Sequence, residues 1–149
     1  MNKMLKDQAL LEDLSGAELT RISRIVRRLK FKKGEQIFKE KEDTKGLYLI
    51  NSGKVEISKV TPDGWKQTLA VFTGGHFFGE LSILEKRRHE AVAVAVENTD
   101  MLLIGKEDFE RLEREDVALA FKIMKKMTLV MCKNLRRMND KFLNALISY

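Results

Sequence analysis

Glycine and proline are distributed very unevenly along this chain of 149 residues. Of the nine glycines only Gly16 lies outside residues 29–105, and the single proline also lies within that segment. Both residue types mark turns and are poorly tolerated inside helices. The chain is therefore constrained to a middle segment interrupted by turns, flanked by two segments that can form uninterrupted helices.

The middle segment has the pattern of short β-strands. Apolar and β-branched runs alternate there with turn sequences such as residues 61–64, Thr-Pro-Asp-Gly. The predicted strands cover residues 47–50, 54–60, 68–72, 91–96 and 101–104. Short strands with frequent turns and no helix between them favour a closed or double-sheet β structure, and among these a jelly roll. The fold class predicted is mainly β with flanking helices.

Helices are predicted on both sides of this segment. Ser15 and Glu18 form a capping-box pattern, and apolar residues spaced by three and four follow to about residue 28. After Gly105, residues 106–113 predict a short helix, and a long helix runs from about residue 116 into the 140s. We expect three regions: a lead-in over 1–14, the jelly-roll domain with its flanking helices over 15–113, and a C-terminal dimerisation helix over 114–149.

The long helix carries a heptad pattern. Its apolar residues are separated by alternating gaps of four and three: Val117, Phe121, Met124, Met131, Leu135, Met138 and Phe142, with Thr128 on the same line. This spacing is typical of two helices packed against each other. A second apolar stripe in the first half (Ala120, Ile123, Met127, Val130) is expected to pack on the β structure. The hypothesis is a parallel homodimer through this helix; the alternative is that the helix folds back on its own domain.

One segment carries a binding pattern. Residues 74–84 read Gly-Gly-His-Phe-Phe-Gly-Glu-Leu-Ser-Ile-Leu. Gly79 allows a sharp turn, after which the amides of Glu80, Leu81 and Ser82 would open a helical turn without intrahelical acceptors. Free amides of this kind attract anions, and the Glu80 carboxylate is suited to accept hydrogen bonds from sugar hydroxyls. Together they predict a nucleotide cradle.

This segment resembles the phosphate-binding cassette of cyclic-nucleotide-binding domains in the cyclic AMP receptor protein superfamily. The resemblance extends over about residues 10–142 and includes residues 46–50 and 105–109. It implies a double-stranded β-helix jelly roll followed by a long helix, with cyclic AMP or cyclic GMP as candidate ligands. In the family, an arginine and a hydroxyl residue complete the cassette. Aligned without gaps, those positions hold His89 and Glu90, between Arg88 and Ala91.

These substitutions weaken the expected phosphate contact. Histidine is mostly neutral at pH 7 and lacks the planar fork of arginine, while Glu90 places a like charge near the anion. A one-residue slip would bring Arg88 into the arginine position. The candidate ligand-binding residues are Gly79, Glu80, Leu81, Ser82, Arg88, His89, Glu90 and Ala91. The function predicted is a stand-alone regulatory sensor of a small anionic ligand, binding cyclic nucleotides weakly. The alternative is a degenerate homologue that binds no nucleotide and acts as a dimeric protein-interaction module.

Composition disfavours other classes of function. The net charge is +6, but the basic residues are scattered in several patches without a DNA- or RNA-reading motif, so direct nucleic-acid binding is not expected. Residues 143–149 are too few for a recognition helix, so no DNA-binding domain is expected.

Cysteine and histidine are scarce in this chain. One cysteine and two histidines predict neither a metal site nor nucleophilic catalysis, so no enzyme activity is expected. With no apolar run of membrane length we expect a cytoplasmic protein, with an unidentified protein as a further candidate partner.

Overall fold

Two four-stranded antiparallel sheets form the centre of the molecule, in a computed structural model that describes residues 1–148. The eight strands are β1 (Val26–Phe31), β2 (Gln36–Phe38), β3 (Gly46–Ser52), β4 (Lys54–Val60), β5 (Lys66–Thr73), β6 (Phe77–Phe78), β7 (Val92–Ala95) and β8 (Thr99–Gly105). Their orders are β1-β8-β3-β6 in one sheet and β2-β7-β4-β5 in the other. The predicted jelly roll with a long C-terminal helix is confirmed.

Helices lie at the two ends of the chain and once between strands. They are α1 (Asn2–Lys6), α2 (Gly16–Ser23), α3 (Glu80–Glu85), α4 (Lys106–Glu115) and α5 (Val117–Ile147), with a 3₁₀ turn at Ala9–Leu11. The predicted capping box is present: Glu18 N donates to Ser15 Oγ, and Ser15 N donates to the Glu18 carboxylate. Within residues 1–148, no helix is both long and apolar enough to cross a membrane.

The interior between the sheets is aromatic. Tyr48 on β3 stacks on Phe78 of β6 with ring centroids 4.9 Å apart, and Phe38 of β2 lies 6.0 Å from Tyr48. Aliphatic side chains such as Ile50 and Met101 fill the remaining space and are fully buried. Phe78 is the residue before Gly79, so this packing fixes where the candidate cassette begins.

A second core lies on the other face of the β1-β8-β3-β6 sheet. Leu47 and Leu49 point to this side of β3 and pack in one cluster with Ile123 and Met127 of α5. Leu11 of the N-terminal turn belongs to the same cluster. The first half of α5 therefore packs on its own sheet, as the second apolar stripe predicted.

The helix predicted to about residue 28 is wrong at its C-terminal end. It stops at Ser23, and strand β1 begins at Val26, paired with β8 in the register Val26 to Ile104. The apolar spacing continued through this segment, but pairing with strand β8, which is buried except at Asp100, satisfies its backbone groups instead. Strands β2 and β6 were not predicted, because two or three residues are too few to show a period.

Candidate ligand-binding site

Gly79 makes the turn with which the candidate cassette begins. Its φ of +90° lies in the left-handed region, and it caps the N-terminus of α3. A Cβ at this position would lie 3.0 Å from the carbonyl oxygen of Gly46 and 3.3 Å from the Tyr48 ring. Both the backbone conformation and the close packing therefore require glycine here. The sharp turn that the sequence predicted at Gly79 is present.

The short helix α3 follows immediately. Ser82 and Ile83 are buried, whereas Leu81 is 56% exposed. The first amides of a helix have no intrahelical acceptor, and anion binding by those of residues 80–82 stays a prediction. Glu80 is partly buried, and this burial raises the pKa of its carboxyl group. A partly desolvated carboxylate gains more than an exposed one from hydroxyl donors of a ligand.

His89, which the ungapped alignment assigned to the family's arginine position, lies in the protein interior. Its side chain is only 4% exposed and stacks on Phe38, with ring centroids 3.5 Å apart and an interplanar angle of 6°. Its Nδ1 is 3.1 Å from Ser82 Oγ, and the tautomer of the ring decides which atom donates. The imidazole thus connects the cassette helix to the interior.

The environment of His89 favours the neutral ring. Burial lowers the pKa of His89, and the opposing influence of the Glu42 carboxylate is smaller. Its Nε2 is buried without a hydrogen-bond partner among the described residues. The backbone is fixed as well, since Lys41 N donates to His89 O at 2.7 Å and His89 N donates to Glu42 O at 3.0 Å. His89 therefore supplies no permanent cation to the cassette.

The arginines beside His89 are bound to carboxylates. Arg88 Nε donates to Asp43 Oδ1 at 3.0 Å. Arg87 contacts Glu85 at 3.2 Å and Glu90 at 2.9 Å. All these side chains are exposed, so the ion pairs are weak and an anionic ligand can compete for the arginines.

The structure brings only some of the predicted site residues together. Ser82 and His89 are in direct contact, and Gly79, Glu80 and Leu81 precede Ser82 at the start of α3. Arg88 and Glu90 are exposed, and Ala91 is partly buried next to β7. Sequence analysis missed Phe38, the stacking partner of His89. The apolar pair Ile37-Phe38 after the turn at Gly34 was the available signal.

The family model of the cyclic nucleotide-binding domain matches residues 28–116. The chain belongs to this family. The matched segment begins in β1 and ends just after α4, so it contains the complete cassette. Among the described residues, no group of three or more histidine, cysteine or acidic side chains is arranged to hold a metal ion.

Relatives of known type agree with this assignment. A cyclic AMP receptor protein from Thermus thermophilus is 34% identical over 110 residues, which cover 74% of this chain and 51% of that protein. A cyclic nucleotide-binding domain from Methylobacillus flagellatus has a TM-score of 0.86 at 21% identity, covering 95% of this chain and 84% of that one. The chain spans about half the length of the first curated relatives it matches.

A solved structure with a bound cyclic nucleotide also shares this fold. The regulatory subunit of a cAMP-independent protein kinase A from Trypanosoma brucei has been solved as a triple mutant with cAMP bound in its A site. It shares the fold with a TM-score of 0.72 at 21% identity, covering 85% of this chain and 45% of that one. One of its three substitutions replaces threonine with arginine.

Proposed function

We propose that this cyclic nucleotide-binding domain is a regulatory sensor module that binds a small anionic ligand, and binds cyclic AMP or cyclic GMP only weakly. The observation that carries the proposal is the buried position of His89. The Gly79 turn and the first turn of α3 supply the amide half of an anion site. The cationic half is missing, because His89 is stacked on Phe38 and held neutral by burial.

The expected loss of affinity can be bounded. A charge-assisted hydrogen bond contributes about 1.5–3 kcal/mol, so replacing the arginine fork by a neutral ring lowers affinity roughly ten- to hundredfold. Glu90 adds a negative charge on the adjacent exposed position. Its ion pair with Arg87 offsets part of that repulsion. Micromolar binding would fall to roughly 10–100 µM through the lost fork alone, and further through the remaining repulsion by Glu90.

A regulatory subunit of a cAMP-independent protein kinase A from Trypanosoma brucei shares this fold. That kinase subunit is described as cAMP-independent, and cAMP is bound in a mutant that gains an arginine. A regulatory protein that contains this fold can therefore be independent of cyclic AMP. By analogy, membership of the family does not identify the ligand of this domain. Its role is regulation rather than catalysis.

The proposed module is a homodimer through α5. The side chains of Phe121, Leu135 and Phe142 are 62%, 58% and 65% exposed, although the opposite stripe of the same helix is buried. Within the described residues the second half of α5, from about residue 132, has no buried side chain. A helix that extends beyond its own domain with an exposed heptad stripe fits a second copy of itself.

Titration calorimetry with cyclic AMP and cyclic GMP tests the proposal. Saturable binding weaker than about 100 µM supports it, and a dissociation constant below about 10 µM contradicts the claim of weak binding. The variant Glu80→Gln is the matched control for site specificity, since it removes the ribose-binding charge while retaining shape. A signal that is unchanged in this variant would place the ligand outside the cassette.

The alternative function is a dimeric protein-interaction module without nucleotide binding. The observation that favours it is the stacked His89, whose ring fills space beside Ser82 instead of opening it. No heat of binding for either cyclic nucleotide, together with a dimer in solution, would favour this alternative. The cytoplasmic location and the absence of a DNA-binding domain stay predictions from the sequence.

A further inference from the structure

A basic cavity lies beside the cassette but outside it. Three segments form it: the loop 43–45, the loop 86–88, and residues 105–108 at the start of α4, with Arg27 of β1 completing the wall. The cavity volume is about 840 Å³. None of residues 79–82 and none of residues 89–91 lines it, so the basic cavity shares only Arg88 with the candidate cyclic nucleotide site.

The lining of the basic cavity is cationic. Six lysine and arginine side chains line it against three carboxylates. Two of these carboxylates are already bound to arginines, since Asp43 accepts from Arg88 and Asp108 accepts from Arg111. In contrast, no carboxylate within residues 1–148 pairs with the four remaining cations, Arg27, Lys45, Lys86 and Lys106. Four unneutralised cations around one cavity attract a multiply charged anion.

A polar group without a partner lies in the same wall. Thr44 Oγ1 is buried and has no hydrogen-bond partner among the described residues. A buried hydroxyl left unpaired is unfavourable and is expected to be satisfied by a water, an ion or a ligand. Gly105 has no side chain that would fill this part of the wall. A Cβ there would lie 3.1 Å from Asp108 Oδ2 and 3.7 Å from Arg27 Nη2.

The volume and the charge of the basic cavity indicate which class of anion fits it. Small-molecule sites have volumes of about 300–1,000 Å³, and the basic cavity lies in this range. A single phosphate contacts one or two cations, whereas four cations around the cavity match a compound with several linked phosphates. A long nucleic acid would require a continuous basic stripe, but Glu107 interrupts the cations at the start of α4.

We propose that the basic cavity between residues 43–45, 86–88 and 105–108 binds a small compound carrying two or more linked phosphate groups. Lys45, Lys86 and Lys106 contact the phosphate oxygens as flexible point charges, and Arg27 supplies a planar fork from β1. Arg88 is paired with Asp43 and is not counted among these four cations. The site is independent of whether cyclic nucleotides bind to the cassette.

Calorimetry with inorganic tripolyphosphate at low ionic strength tests this site. The wild-type protein is expected to bind saturably with one equivalent per chain, and orthophosphate is expected to bind at least about tenfold more weakly, about 1.4 kcal/mol. The variant Lys45→Ala with Lys106→Ala should weaken tripolyphosphate binding about tenfold or more. The matched control is Lys33→Ala with Lys59→Ala, which removes the same charge from two exposed lysines outside the cavity.

Three outcomes would overturn the proposal. Wild-type protein that binds no tripolyphosphate excludes the site. Equal weakening in the cavity variant and in the control shows attraction by net charge alone. Displacement of tripolyphosphate by excess cyclic AMP shows that both anions use the cassette. Because Lys33, Lys45 and Lys59 are exposed and Lys106 is only partly buried, circular dichroism and thermal melting should confirm that both variants fold like the wild-type protein.

Discussion

His89 and Phe38 stack face to face, with ring centroids 3.5 Å apart and planes 6° from parallel. His89 thereby becomes a residue of the jelly-roll interior, although the ungapped alignment assigns it to the position at which the family uses a phosphate-binding arginine. The same ring contacts Ser82 of the cassette helix. A substitution at position 89 should therefore change both the stability of the domain and the chemistry of the cassette.

Restoring the cassette should increase affinity for cyclic AMP. His89→Arg with Glu90→Ser introduces a forked cation and a hydroxyl, and an arginine is too long for the space on Phe38, so its charged end must turn outward. Calorimetry should show at least about a tenfold gain, about 1.4 kcal/mol. Glu90→Ser alone is the control and should give a smaller gain. An unchanged affinity in the double variant would mean that the pocket is blocked elsewhere.

Acid should destabilise the domain through His89. Burial lowers the pKa of this histidine below its ordinary 6.5, so the unfolded chain binds a proton more readily than the folded one. The free energy of unfolding should fall as the pH drops below 6.5, by up to about 1.4 kcal/mol per pH unit until the folded-state pKa is reached. Urea unfolding between pH 7.5 and 5 measures this slope. His89→Phe retains an aromatic ring and should flatten it; parallel curves for the two proteins would disprove the assignment.

Charges on the heptad stripe should separate the proposed dimer. Leu135 and Met138 are 58% and 65% exposed in the single chain, so Leu135→Glu with Met138→Glu should leave the fold intact and give a monomer. Sedimentation velocity at tens of micromolar measures the change. Leu129→Glu, equally exposed but off the stripe, should remain dimeric. A monomeric wild-type protein would contradict the hypothesis.

Salt provides a second test of the same interface. Lysines and arginines flank the heptad stripe, at positions 125, 133, 136 and 137, with Asp140 as the nearby acid. Like charges repel across a parallel pair, and screening grows with ionic strength. Dimerisation should therefore strengthen between about 50 mM and 500 mM salt, where the Debye length falls to a few ångströms. A dimer that weakens in high salt would require an interface dominated by ion pairs instead.

The loop that holds His89 contains a strained residue. Lys41 has a φ of +69°, a conformation that costs a non-glycine residue about 1–2 kcal/mol, and its amide donates to His89 O. Lys41→Gly relieves the strain but adds unfolded-state entropy, so a net stabilisation of about 0.5–1 kcal/mol is expected. Thermal unfolding measures it. Lys39→Gly, in the same loop but without a positive φ, should destabilise.

Local sequence patterns predicted much of this structure correctly. The capping box at Ser15 and Glu18, the strand over 54–60 and the start of the long helix near residue 117 all lie where the pattern placed them. These features depend on residues that are close in sequence. In the capping box a side chain accepts from an amide three residues away, and glycine residues mark the turns that bound the strands. The cassette turn at Gly79 was predictable for the same reason.

Tertiary pairing decided the features that local patterns missed. Residues 26–31 form strand β1 because β8 supplies backbone partners along their whole length, although their spacing also suits a helix. Burial of His89 depended on Phe38, fifty-one residues away on a strand too short to show a period. The basic cavity likewise needs three segments distant in sequence. The fold class and the turn at Gly79 could be predicted from local sequence, since both follow from short-range geometry. The burial of His89 and the ion pairing of Arg88 required the folded structure, because both depend on residues distant in sequence.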